Sequence, residues 1–265
     1  MMTAAQILLS LASGALVGLS LGVIGGGGSI LAVPLMVYVI GVSSPHVAIG
    51  TSALAVAASA LLNLLGHARD RNIKWPCATV FALSGVVGAT LVAELGKAVD
   101  GAKLLAGFGA LMIVIAALML RPRRGGHDAD VRLDRDSELR LLPPLAGTGL
   151  GVGALSGFFG IGGGFLIVPG LVTATSMPLL NAIGSSLVSV AAFGATTAAS
   201  YAASGLVDWP VAMLFVLGGA GGGFLGVRLA GKLALRRRAL TLLFSSVVVV
   251  VGVYVVARGT ATLAR

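Results

Sequence analysis

Long apolar runs separated by short polar stretches dominate the pattern along the chain. Ten such runs can be delimited, and most charged residues lie between them. Runs of this length are typical of membrane helices, because about 20 apolar residues cross a bilayer while a barrel strand needs only about 10. The predicted segments are 4–24, 29–42, 46–66, 76–96, 103–120, 143–159, 165–176, 180–203, 210–230 and 239–257.

The composition supports an all-α integral membrane protein. The chain is 57% hydrophobic and 10% charged, whereas soluble domains carry about 25% charged residues. The net charge of +9 comes from basic residues clustered in loops, where they set orientation and meet anionic lipid, so we do not expect a nucleic-acid partner. No cofactor is expected, and no metal site, because no three ligand-type residues share a suitable spacing.

The two halves of the chain align at an offset of about 134 residues, which indicates internal duplication. The predicted domains are a first transmembrane repeat (1–120), a polar cytoplasmic linker (121–142) and a second, inverted transmembrane repeat (143–265). The matched residues are Gly25 and Gly160, Gly27 and Gly162, Pro34 and Pro169, the steps 48–52 and 182–186, and the pairs Trp75-Pro76 and Trp209-Pro210.

The distribution of basic residues predicts how the repeats are oriented. Loops 67–75, 121–142 and 228–238 are rich in Arg and Lys, and the positive-inside rule places them in the cytoplasm. Five segments per repeat then put both termini outside and make the repeats antiparallel, as in many secondary transporters.

The second segment of each repeat is too short to span a bilayer. Segments 29–42 and 165–176 follow glycine clusters, and helices are expected to start near Ser29 and Gly164. The first two segments of each repeat would form a re-entrant helical hairpin broken by a Gly-rich turn. Two tilted spans joined by a tight surface turn are the alternative.

The glycine clusters are the first candidates for substrate binding. Unpaired N–H groups at a helix start carry partial positive charge, and glycine leaves them open to an anion. The alternative is that the glycines only allow close helix packing. The candidate residues are Gly25, Gly26, Gly27, Gly28, Ser29, Gly160, Gly162, Gly163 and Gly164.

Uncharged polar side chains near the start of the third segments are the second candidates. They offer hydrogen-bond donors to an anion, although Ser and Thr also bond their own helix carbonyls. These candidates are Thr51, Ser52, Asn181, Ser185 and Ser186.

The three histidines differ in their expected positions. His46 opens the third segment, where it is either a proton or anion relay or an interfacial side chain. His67 and His127 are expected in polar loops. We do not expect an enzyme, because no base accompanies the motif serines within reach.

At these residues the chain resembles the TauE/SafE family of sulfite exporters and related permeases. The Gly-rich elements ending at Pro34 and Pro169, the Ala-Ile-Gly-Thr/Ser-Ser steps and the Trp-Pro pairs carry the resemblance. It implies a multi-pass protein of the bacterial cytoplasmic (inner) membrane that transports small sulfur-containing oxyanions or organosulfonates of the sulfite and sulfoacetate class. The implied mechanism is alternating access at the repeat interface.

The expected partners are a small anionic substrate and the lipid bilayer, and a homo-oligomer is left open. An anion channel of the same architecture and a membrane subunit that does not transport remain as alternatives.

Overall fold

The computed structural model describes residues 2–70, 72–120, 135–160, 164–233 and 237–263. These residues are helical apart from short connections, and no strand occurs among them. Seven helices in this part of the chain are long and apolar enough to span a membrane, which confirms the all-α membrane class. The α-helices are α1 (Ala4–Ile24), α2 (Ala32–Pro34), α3 (Pro45–Arg69), α4 (Trp75–Ala98), α5 (Gly101–Leu120), α6 (Arg135–Phe159), α7 (Gly164–Thr175), α8 (Leu179–Ala203), α9 (Trp209–Leu233) and α10 (Arg237–Leu263).

Each of the ten predicted apolar segments coincides with helical structure. The largest difference is at α6, which begins at Arg135 inside the predicted linker 121–142. Residues 135–142 include strong helix formers such as Glu138 and Leu141, so the helix extends beyond its apolar part. The rest of the predicted linker, 121–134, lies outside the described residues.

The chain between α1 and α3 doubles back on α1. A 3₁₀ helix (Gly25–Leu31), α2 and a π-helix (Leu35–Ile40) follow one another without a loop. Gly28 packs against Ser20 and Leu21, so the chain returns along α1. The expectation that the helix starts near Ser29 is therefore wrong, because the glycines themselves form 3₁₀ turns.

The corresponding part of the second half is also a helical hairpin. α7 begins at Gly164, as predicted. Gly170 of α7 lies near Val152 of α6, which shows that α7 returns along α6.

Close helix pairs join one half of the chain to the other. α1 packs on α9, and α6 packs on α4. Gly18 of α1 meets Gly219 of α9, and Gly153 of α6 meets Gly85 of α4, each against the facing backbone. The small residues therefore let the backbones approach, as they commonly do in membrane helices.

The corresponding helices of the two halves also pack on each other. α3 pairs with α8, and α5 pairs with α10. Gly50 lies beside Tyr201 and Gly194 lies beside Ala53, so α3 and α8 run in opposite directions. This packing favours inverted repeats, whose orientation in a membrane stays a prediction.

Candidate functional site

The two hairpins turn at equivalent glycines. Gly25 and Gly160 have φ angles of 72° and 66°, which only glycine adopts readily because it lacks a Cβ. Gly25 ends α1, and its N–H donates to the Leu21 carbonyl oxygen. Gly25 and Gly160 also have matching neighbours, since they lie beside Ile183 and Ile49, which align in the repeats.

The tips of the two hairpins meet inside the protein. A Cβ atom added to Gly26 would collide with the backbone of Gly164, and one added to Gly164 would collide with Gly26. The Gly26 N–H donates to Ser186 Oγ at 3.0 Å. Ser29 Oγ donates to the Gly26 carbonyl oxygen at 2.9 Å, and Gly26 and Ser29 are buried.

Thr51 and Ser185 occupy equivalent positions and make equivalent hydrogen bonds. Thr51 Oγ1 accepts from the Asp208 N–H at 2.9 Å. Ser185 Oγ accepts from the Lys74 N–H at 2.9 Å. Asp208 and Lys74 each precede a Trp-Pro pair. The two hydroxyls therefore hold the loops that lead into α9 and α4.

The other polar candidates bond backbone carbonyls. Ser52 Oγ donates to the Ile49 oxygen at 2.9 Å. Ser186 Oγ donates to the Ile183 oxygen at 2.7 Å and also accepts from Gly26. Asn181 Nδ2 donates to the Asn72 oxygen at 3.4 Å. Of these residues, Ser186 therefore connects α8 directly to a glycine tip.

His46 lies in a cleft that none of the other candidates line. The cleft has a volume of about 610 Å³ and is also lined by Tyr38, Asp100 and Arg258. The centroids of the His46 and Tyr201 rings are 6.5 Å apart. The His46 Nδ1 atom is buried and has no hydrogen-bond partner within the part of the chain that the structure describes. Tyr201 lies between His46 and the second tip, since its hydroxyl is also close to Gly160.

The structure brings Gly25, Gly26, Ser29, Gly164 and Ser186 together. Gly27 and Gly28 lie in the same 3₁₀ helix. The candidates Gly162 and Gly163 lie outside the described residues.

His67 is not in a polar loop, contrary to the sequence-based expectation. α3 extends to Arg69, and His67 is only 1% exposed. Its Nε2 atom is 3.0 Å from the Gly22 carbonyl oxygen. Its Nδ1 atom is buried, and no described residue forms a hydrogen bond with it. A carbonyl oxygen accepts, so Nε2 carries the hydrogen. The internal repeat could have indicated that His67 is buried, because position 67 aligns with Tyr201, which is fully buried.

A family model described as "Sulfite exporter TauE/SafE" matches residues 10–255. The chain belongs to the TauE/SafE family. It is also similar to a "Probable membrane transporter protein" of Xylella fastidiosa strain 9a5c, with 47% identity over 99% of both chains.

More distant relatives carry similar names. "Probable membrane transporter protein YunE" of Bacillus subtilis is 28% identical over 89% of this chain and 92% of its own. "Probable membrane transporter protein MJ0441" of Methanocaldococcus jannaschii is 26% identical over 90% of this chain and 92% of its own. These names indicate a membrane transporter rather than an enzyme. No solved structure matches the chain.

Proposed function

We propose that the protein is a secondary transporter of small anions in the bacterial cytoplasmic membrane. Sulfur-containing oxyanions and organosulfonates of the sulfite and sulfoacetate class are the proposed substrates. The observation that carries this proposal is the meeting of the two hairpin tips at Gly26 and Gly164 in the protein interior. The family description agrees with the substrate class.

In the described conformation the uncharged donors at the tips bond protein acceptors: the Gly26 N–H donates to Ser186, and the Ser29 and Ser186 hydroxyls donate to backbone carbonyl oxygens. When the tips separate, these donors would become available to an anion. The contacts of Gly26 are to glycine and serine. Backbone N–H groups and hydroxyls at a helix start favour an anion through aligned dipoles. Because no full positive charge binds the anion, we expect weak binding and rapid release, which suits transport.

Access to the tips requires them to move apart. Gly26 and Gly164 touch, so the described conformation is closed at this point. Each hairpin packs through its long helix on a helix of the other half, α1 on α9 and α6 on α4. Rocking one repeat against the other would open the tips to each side in turn, as inverted-repeat transporters do.

Flux of radiolabelled sulfite and sulfoacetate into proteoliposomes tests the proposal. We expect saturable uptake that unlabelled substrate on the opposite side accelerates, and no such uptake in liposomes without protein. Failure of the folded protein to move any small sulfur oxyanion would rule out the substrate class. Large single-channel currents with no accelerated exchange would instead establish an anion channel.

A further inference from the structure

A second polar site lies in a groove between the C-terminal halves of α3 and α9. The groove has a volume of about 520 Å³. None of the glycine-tip residues lines it. Its lining includes Leu62, Asn63, Arg69, Asp70, Phe224 and Arg228.

The walls of the groove face the surroundings of the helix bundle. Leu62 is 43% exposed and Phe224 is 58% exposed. Both belong to helices that are long and apolar enough to span a membrane. Lipid tails are as apolar as leucine side chains, so an exposed apolar wall at this position is solvated by acyl chains. The groove therefore opens toward the bilayer.

Two arginines place positive charge in the groove. Within the part of the chain that the structure describes, neither Arg69 nor Arg228 forms an ion pair. The Arg228 guanidinium lies over the Phe224 ring, 4.0 Å from its centroid, and this cation–π contact limits its mobility. Asp70 is the described carboxylate in the lining. Guanidinium groups with unused donors are well suited to bind phosphate oxygens.

The side-chain amide of Asn63 forms part of the floor of the groove. Asn63 is 2% exposed, and its Nδ2 donates to the Ser59 carbonyl oxygen at 2.9 Å. Its Oδ1 atom is buried and has no hydrogen-bond partner among the described residues. This oxygen packs against Gly22 of α1 and Gly223 of α9, so Asn63 contributes polarity to the floor of the groove and the arginines carry the binding. Asn63 precedes Arg69 by about 9 Å along the helix, so a polar side chain lies in the groove well below the two arginines.

We infer that this groove binds the headgroup of an anionic phospholipid. Arg69 and Arg228 contact the phosphate, the acyl chains follow Leu62 and Phe224, and water or the glycerol region fills the space above Asn63. The predicted orientation places the groove in the cytoplasmic leaflet, where anionic lipids attract basic residues. This inference concerns a site apart from the substrate path and does not depend on which anion is transported.

The equivalent position in the other half has the opposite charge. Arg228 aligns with Glu94 at the repeat offset. Glu94 accepts a hydrogen bond from Ser200 at 3.1 Å and pairs with Lys97 at 2.6 Å. Among the described residues, the position equivalent to Arg228 therefore lacks a basic side chain, so we expect the lipid preference in one leaflet.

Native mass spectrometry of the purified full chain tests the inference, with phosphatidylglycerol, phosphatidylcholine and inorganic phosphate as probes. We expect phosphatidylglycerol to bind more tightly than phosphatidylcholine. Arg69→Gln and Arg228→Glu should each weaken phosphatidylglycerol binding by about fivefold or more, the effect of one basic residue near an anionic lipid. Arg140→Gln is the control, because Arg140 is exposed and belongs to the same predicted leaflet but does not line the groove.

Three outcomes would overturn the inference. Equal losses in all three variants would show a general charge effect, and no loss in the groove variants would place the lipid elsewhere. Displacement of phosphatidylglycerol by inorganic phosphate at equal concentration would show a small-anion site. Unfolding temperatures are measured alongside, so that a misfolded variant is recognised and replaced by Arg228→Gln.

Discussion

Gly26 and Gly164 face each other so closely that neither position has room for a Cβ atom. The two residues belong to different halves of the chain and lie at the tips of separate hairpins. Their contact is the point where the proposed anion site opens and closes. If the proposed function is correct, we expect any side chain at this position to interfere with transport.

Gly26→Ala is expected to abolish transport while the protein still inserts. The new methyl group would push the tips apart, and overpacking of this kind costs about 1–3 kcal/mol. Flux of labelled sulfite in proteoliposomes measures the effect. Gly151→Ala is the matched control, because Gly151 has open space around its Cα. If both variants transport equally well, the tips do not form the site.

Thr51→Val and Ser185→Ala are expected to destabilise the protein by similar amounts. Each removes an acceptor and leaves a loop N–H unsatisfied, at Asp208 or Lys74, which costs about 1–3 kcal/mol. Unfolding temperature reports this loss.

The KM for the transported anion distinguishes loop positioning from substrate binding at Thr51 and Ser185. We expect an unchanged KM in both variants, with Ser246→Ala as the control because Ser246 is exposed and bonds only the Leu242 carbonyl oxygen of its own helix. A several-fold rise in KM at unchanged stability would show that these hydroxyls bind substrate.

Gly18→Ala and Gly153→Ala are expected to weaken the two long helix pairs. A methyl group at Gly18 would strike the Gly219 backbone, and one at Gly153 would strike Gly85. We expect each to lower stability by about 1–3 kcal/mol, measured as resistance to denaturation in detergent. Gly221→Ala should be neutral or stabilising, since Gly221 is exposed and an added Cβ would meet no other part of the described chain within 4 Å. If all three variants resist denaturation equally well, the close approach of these helix backbones does not contribute to stability.

Cysteine labelling tests the predicted orientation in the membrane. The single native cysteine, Cys77, is 1% exposed, so it should react slowly. Ser43→Cys should react with an impermeant maleimide in intact cells, whereas Asp70→Cys should react only after permeabilisation. Both positions are exposed. The reverse pattern would invert the topology and move the arginine groove to the outer leaflet.

The sequence was sufficient to predict the helical segments, because hydrophobic length alone indicates membrane helices. It also predicted the start of α7 at Gly164 and the interruption at Gly25. It could not show that the glycines after Gly25 form 3₁₀ turns. Low helix propensity describes an isolated segment, and here burial against α7 and α8 decides the conformation.

The sequence alone could not predict which residues of the two halves contact each other. Duplication shows that Thr51 and Ser185 are alike, but not that they bind the loops at Asp208 and Lys74. His67 was misplaced for a related reason. Its neighbours Arg69 and Asp70 are charged, so the local sequence is typical of a loop, although the ring is buried against Gly22.

The pairing of α1 with α9 has a consequence for biosynthesis. Gly18 enters the membrane early, but its partner Gly219 is translated about 200 residues later, so the pair cannot form while the chain emerges N-terminal part first. Until α9 is inserted, we expect the glycine surface of α1 to be covered by lipid or by an insertion factor. A chain truncated after α5 would lack α9, so the glycine surface of α1 would stay exposed to lipid.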